Sequence, residues 1–196
     1  MEVRKSKFSI YQLSVIGLMS AMVFVATNFR IEIPTPLGKT MLHFGNVMCI
    51  LSGLFFGGIA GGLSAGFGSA IYDLFDPAFA PEFWITFIMK FAMGFIAGKI
   101  SYMKNFNGEN TKVNLVAAIV AAITYVLLYT FKTIFLQLVI LESTWQAVSA
   151  VAITKFLVSS TNAIIAVIAS LALSISLRPA LKAAGIFNKI NNSKRS

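Results

Sequence analysis

From Ile10 to Asn28 the chain carries no Asp, Glu, Lys or Arg, and similar apolar blocks follow at residues 41–75, 83–102, 113–140 and 145–177. A helix needs about 20 apolar residues to cross the roughly 30 Å hydrocarbon core of a bilayer. A soluble fold has no interior large enough to hide so many. Composition agrees: 57% of the 196 residues are hydrophobic and only 12% are charged, about half the usual charged fraction of a soluble domain. The mean hydropathy is +0.81. The expectation is a single integral membrane domain over residues 1–196, all-α and polytopic.

The block at 41–75 is too long for one span and divides at Gly57 and Gly58. The predicted helices are then residues 10–28, 41–56, 58–75, 83–102, 113–140 and 145–177, with Pro179 and a polar tail closing the chain. The charged start followed by an apolar run has the order of a signal peptide. The run is too long and lacks a small-x-small cleavage site before Asn28, so it reads as a retained first helix. Residues 30–40 hold Pro34, Pro36 and Gly38, which disfavour a long helix there and predict a connecting segment.

Loop charges orient this arrangement. With six spans both termini share a side. That side holds Arg4, Lys5, Lys7, Lys99, Lys104, Lys112, Arg178, Lys182, Lys189, Lys194 and Arg195. The opposite side has Arg30 and Lys39 among Glu32, Asp76, Glu82 and Glu142. The positive-inside rule places both termini in the cytoplasm, and Trp84 and Trp145 fall at the outer interface. The net charge of +9 is thereby explained without nucleic acid.

Three basic residues remain: Lys90, Lys132 and Lys155 lie inside predicted spans, where a charge is costly and is usually paired, hydrated or functional. At 1.5 Å per residue all three sit roughly 12–15 Å below the outer surface. Three readings are open: separate snorkelling to the headgroups, a shared outward-facing pocket for an anionic or carbonyl-rich ligand, or interhelical pairing, for instance with Asp73. Tyr125 and Tyr129 lie one turn apart, with Lys132 three residues on, so two rings share a face with a cation. His43 and Asn46 fall at the mouth of the second helix. A lone histidine there is more often a structural hydrogen-bonding group, and Asn162 reads as an interhelical hydrogen bond.

The glycines at 57, 58, 61, 62, 66 and 68 read as close helix packing, and Gly17 with Ala21 as a small-xxx-small contact or docking face. Gly38-Lys39-Thr40 mimics the end of a phosphate loop, but Ile33 stands where its first glycine belongs. Cys49 is the lone cysteine. No metal cluster, paired-carboxylate dyad or nucleophile motif is present, so neither cofactor nor enzyme is expected.

The run HFGNVMCILSGLFFGGIAGG from His43 to Gly62, the run AGFGSAIYD ending at Asp73, and WITFIMKFAMGFIAG from Trp84, with Lys90, Gly94 and Gly98 at four-residue spacing, resemble the substrate-binding S components of energy-coupling factor (ECF) transporters, riboflavin-type branch. The resemblance spans most of the chain. It implies a multi-pass protein of the bacterial plasma membrane that captures a vitamin or related micronutrient, riboflavin- or pantothenate-like, from outside. It also implies partners: a transmembrane coupling subunit and two ATPases, with toppling in the membrane to release substrate inward. By position, residues 31–42 match the family's gating loop, with Pro34, Pro36 and Lys39. Gly17 and Ala21 are the nearest match to its docking motif, although Val25 replaces the next small residue. The substrate-binding candidates are Lys90, Lys132, Lys155, Tyr125, Tyr129, Asp73, His43 and Asn46. The alternatives are a membrane-embedded enzyme, for which acid–base residues are scarce, and a non-transporting scaffold subunit.

Overall fold

The computed structural model describes residues 9–192. Of the loop cations that orient the chain, Arg4, Lys5, Lys7, Lys194 and Arg195 lie outside the described residues.

Helix α1 (Ile10–Asn28) opens on a capping box: the Ser9 hydroxyl accepts from the Gln12 amide and the Gln12 side chain accepts from the Ser9 amide. An antiparallel hairpin follows, β1 (Arg30–Thr35) and β2 (Gly38–His43), turning through Pro36 and Leu37. Then come α2 (Gly45–Phe56), α3 (Gly58–Leu74), a 3-10 turn (Ala80–Glu82), α4 (Phe83–Ser101), α5 (Thr111–Phe135) running on as a π turn to Ile140, α6 (Trp145–Ala183) and α7 (Ile186–Asn192).

Two expectations are corrected here. Met41, Leu42 and His43 belong to β2, so the second helix starts at Gly45 rather than Met41. Ile31 pairs with Leu42 and Ile33 with Thr40, and β-branched residues in alternation favour a pleated ribbon over a helical turn. Pro34, which has no N–H to give, is tolerated because each strand of a two-stranded ribbon is an edge. The architecture is therefore helical with one hairpin. Pro179 does not end α6 either. A proline removes one donor and strains one turn, and the helix continues to Ala183, stopping where Gly185 takes a positive φ of 70°.

Four helical stretches are long and apolar enough to cross a membrane: Ile10–Asn28, Ala80–Ser101, Thr111–Ile140 and Trp145–Ala183. Helix α2, at 12 residues, is only about 18 Å long. It turns into α3 at Gly57, whose φ of 81° is open to glycine and strained for other residues.

Helices α2, α3 and α4 pack backbone against backbone. A Cβ on Gly61 would collide with Gly53, and one on Gly94 with the Gly61 carbonyl. Phe87, Phe91 and Phe95 stack along α4, with centroids 6.1 and 5.7 Å apart, over the spaces left by Gly66, Gly62 and Gly58 of α3. Polarity is inverted relative to a soluble bundle. Helix α6 turns Lys155, Ser159, Asn162, Ser170 and Ser174 inward and Ile153, Leu157, Ile164, Ile168 and Ile175 outward. Polar groups inside and large aliphatics outside are what a lipid surrounding requires.

Candidate ligand-binding site

Beneath the hairpin, α1 and α3 through α6 enclose a polar cavity of about 50 Å³. Helices α3, α4 and α5 contribute through residues spaced one turn apart, a spacing that puts both side chains on one helical face. Helix α3 supplies Ser69 and Asp73, α4 supplies Thr86 and Lys90, and α5 supplies Tyr125 and Tyr129, with Lys132 beyond. Thr27, Ser159 and Asn162 complete the helical wall, and Thr40, Met41 and His43 of β2 form the roof.

The centre of the site is an arrangement of rings and cations. Tyr125 and Tyr129 stack with centroids 5.8 Å apart and planes at 15°. The Lys90 ammonium sits 3.8 Å from the Tyr125 centroid. Lys132 and Lys155 lie 5.2 and 5.8 Å from that of Tyr129. A desolvated cation over an aromatic face gains about 2 kcal/mol, which offsets part of the cost of keeping three ammoniums in the bundle.

Their other partners differ. Lys90 donates to the Asn46 side-chain oxygen, and the Asn46 amide nitrogen is buried with no partner. Lys132 pairs with Glu82, from the 3-10 turn before α4, and not with Asp73. Asp73 instead lines the cavity together with Thr86. Lys155 stands beside Tyr129 rather than in the cavity wall, and the ring is its cation–π partner.

Side chains of Asn162, His43 and Tyr129 tie the roof down. Asn162 does not bridge helices: its oxygen accepts from the His43 amide at 3.0 Å, and its nitrogen donates to the Met41 carbonyl at 2.8 Å. His43 turns its Nδ1 to the Gly45 amide, 3.1 Å away, and so helps set the β2–α2 junction while facing the cavity. Thr40 and Tyr129 share a hydroxyl contact of 3.4 Å.

On the outer side Asp76 fastens both strands. It accepts from Arg30 at 2.8 Å, Lys39 at 3.1 Å and the Ala78 amide at 3.0 Å. Burial pushes the Asp76 carboxyl up, but these donors outweigh it and hold the group below its ordinary range. Pro34 and Pro36 lie in this hairpin without contacting the cavity.

Gly17 and Ala21 lie elsewhere, exposed on the outer face of α1 with Val25, and open space surrounds Gly17. The hydroxyls of Thr27, Thr40, Ser69, Thr86 and Ser159 were not singled out in the sequence. Their signal was there, since Ser69, Thr86 and Ser159 each stand four residues from Asp73, Lys90 and Lys155. Among the described residues no three His, Cys, Asp or Glu side chains gather as a metal site.

Apolar faces turned outward around a small polar cavity, roofed by a pinned hairpin, define a helical membrane protein with a candidate ligand site inside the bundle. Residues 7–179 match the family described as ECF-type riboflavin transporter, S component. The chain belongs to that family, and it is the substrate-binding subunit of an ECF-type importer. Its fold is similar to that of a solved protein described as the S component of a bacterial ECF transporter. The TM-score is 0.56 at 22% identity, covering 85% of this chain and 96% of that one. No curated protein matches the chain at a significant level.

Proposed function

We propose that the cavity under the hairpin captures a flat, carbonyl-rich or anionic vitamin, riboflavin by the family's name, from outside the cell for ATP-driven uptake. The observation that carries this reading is the convergence of the Lys90, Lys132 and Lys155 ammoniums on the stacked Tyr125–Tyr129 pair. Stacked rings accept a flat heteroaromatic system, and ammoniums donate to its carbonyls or to an anionic substituent. Asp73, with Thr86, offers acceptors for ring N–H or ribityl hydroxyl groups. The Asn46 amide, orphaned next to Lys90, is a further donor for a ligand that displaces the lysine.

The protein acts here as a binder, with no bond made or broken. Residues 1–196 form one domain with six spans and both termini in the cytoplasm of a bacterial cell. In support, the hairpin that roofs the site carries Arg30 and Lys39, and Lys99, Lys104, Lys112, Arg178, Lys182 and Lys189 cluster at the other end.

Pockets for ligands of this size usually measure about 300–1,000 Å³. A cavity of about 50 Å³ therefore has to open, and the hairpin, as its roof, is the element whose movement opens it. Gating is release of β2 from Asn162 and Tyr129 and of both strands from Asp76. Pro34 and Pro36 stiffen the ribbon so that it moves as a unit. The exposed strip of Gly17, Ala21 and Val25 is the docking face for a transmembrane coupling subunit that carries two ATPases.

Titration of riboflavin into the purified protein, followed by flavin fluorescence quenching, tests the site. Lys90→Ala, Lys132→Ala and Lys155→Ala are each expected to weaken binding by about tenfold or more, the size of one charge-assisted hydrogen bond. Unchanged affinity in all three removes the assignment.

A further inference from the structure

The Tyr129 ring is flanked by two ammoniums, those of Lys132 and Lys155, and among the described residues one carboxylate meets them: Glu82, on Lys132. The two elements involved differ in rigidity. Lys132 and Lys155 are on long helices and nearly buried, whereas Glu82 ends a three-residue 3-10 turn and keeps 31% of its side chain exposed. Phe79, at the start of the same turn, lines the cavity, and Lys132 faces into it. A carboxylate on a short, half-exposed connection is the partner that leaves at least cost, because water receives it again on leaving.

We infer that Glu82 is a displaceable counter-ion: it neutralises Lys132 while the site is empty and yields that ammonium to the anionic group of an incoming aromatic ligand, so that it sets how strongly the site prefers charged over neutral ligands. The inference rests on the binding reading above. It adds that the ligand class includes phosphate- or carboxylate-bearing flat rings. Glu82 is a competitor for the ligand's anion, and Lys155, which has no carboxylate of its own among the described residues, supplies the second positive charge. With one carboxylate between two cations, the pair accepts a monoanionic group in the empty state and a dianionic group once Glu82 has swung out.

Riboflavin and flavin mononucleotide share one ring system and differ in a phosphate, so their affinity ratio isolates the charge. Both are titrated into the full chain in lipid nanodiscs, as wild type, Glu82→Gln and Glu82→Asp. Removal of the competing charge in Glu82→Gln is expected to raise the preference for flavin mononucleotide over riboflavin by roughly tenfold. Glu82→Asp, which keeps the charge on a shorter arm, falls between the two. A ratio unchanged or lowered in Glu82→Gln overturns the counter-ion role and leaves the binding reading standing. Should Glu82→Gln bind neither flavin, Glu82→Asp decides: a ratio above wild type supports the inference and any other overturns it. A wild-type protein that binds neither flavin overturns both the inference and the reading beneath it.

Discussion

The Lys90 ammonium and the Tyr125 ring, on α4 and α5, meet at 3.8 Å, the tightest cation–π contact among the described residues. The two helices are thus joined in the middle of the bundle by a charge that has no carboxylate directly bonded to it. Its one hydrogen-bond partner is the Asn46 oxygen. Tyr125→Leu removes the aromatic face and leaves the ammonium with a single neutral acceptor. The expected outcome is a loss of about 1–2 kcal/mol of stability, read as a lower midpoint of thermal unfolding in detergent. A Tyr125→Phe protein keeps the ring and should unfold near wild type.

Asn162 joins α6 to the hairpin through two bonds, to the His43 amide and the Met41 carbonyl. Asn162→Ala breaks both and leaves half-buried backbone groups unpaired, at a cost of about 1 kcal/mol. Hydrogen exchange at the amides of residues 38–45 should accelerate while α3 and α4 stay protected. Protection retained in β2 would show that the hairpin is held by something other than Asn162.

The latch at Asp76 has a predictable pH dependence. Burial raises its carboxyl, but the Ala78, Lys39 and Arg30 donors outweigh burial and hold it below the ordinary carboxylate range in the folded chain. A depressed carboxyl contributes stability above its unfolded pKa and loses it as pH falls through the folded value. Hairpin closure should therefore be constant from neutral pH down to about pH 4 and weaken only below it. Asp76→Asn should release bound ligand faster at pH 7 and lose this acid dependence. Stopped-flow dissociation rates of riboflavin from both proteins, at pH 7 and at pH 3.5, make the comparison. Equal rates at neutral pH would contradict a latch.

Backbone contact between α3 and α4 depends on Gly94, where a Cβ would meet the Gly61 carbonyl. Gly94→Val is expected to destabilise the protein by about 1–3 kcal/mol through overpacking. Gly17→Val, at a position with open space around it, should leave the unfolding midpoint in place. The pair, measured by the same thermal melt, separates packing glycines from those on an open face.

What could be read from sequence and what could not divide along physical lines. The membrane class followed from apolar run length, which depends on the chain alone. The tyrosine–lysine grouping on α5 followed from helical periodicity within one element. The hairpin did not follow, because Met41 and Leu42 continue the apolar run into α2 without a break. Only their pairing with Glu32 and Ile31, on the other arm of the hairpin, makes them a strand. Glu82 could not be matched to Lys132 for a similar reason. It falls in the charged outer rim of the sequence, and only the way the 3-10 turn folds over α5 brings it to the ammonium. Asn162 was expected to bridge helices, and its partners proved to be backbone groups of a ribbon that the sequence had not revealed.

The central claim is that ligand occupies the cavity under the hairpin, and a structure of the riboflavin-loaded protein tests it most directly. The account predicts the ring system against Tyr125 and Tyr129, with a polar ring edge within hydrogen-bonding reach of the Lys90 or Lys132 ammonium and β2 drawn away from Asn162. Ligand seated instead in the apolar groove lined by Met22, Val25 and Leu173, with the lysine–tyrosine contacts undisturbed, would contradict it.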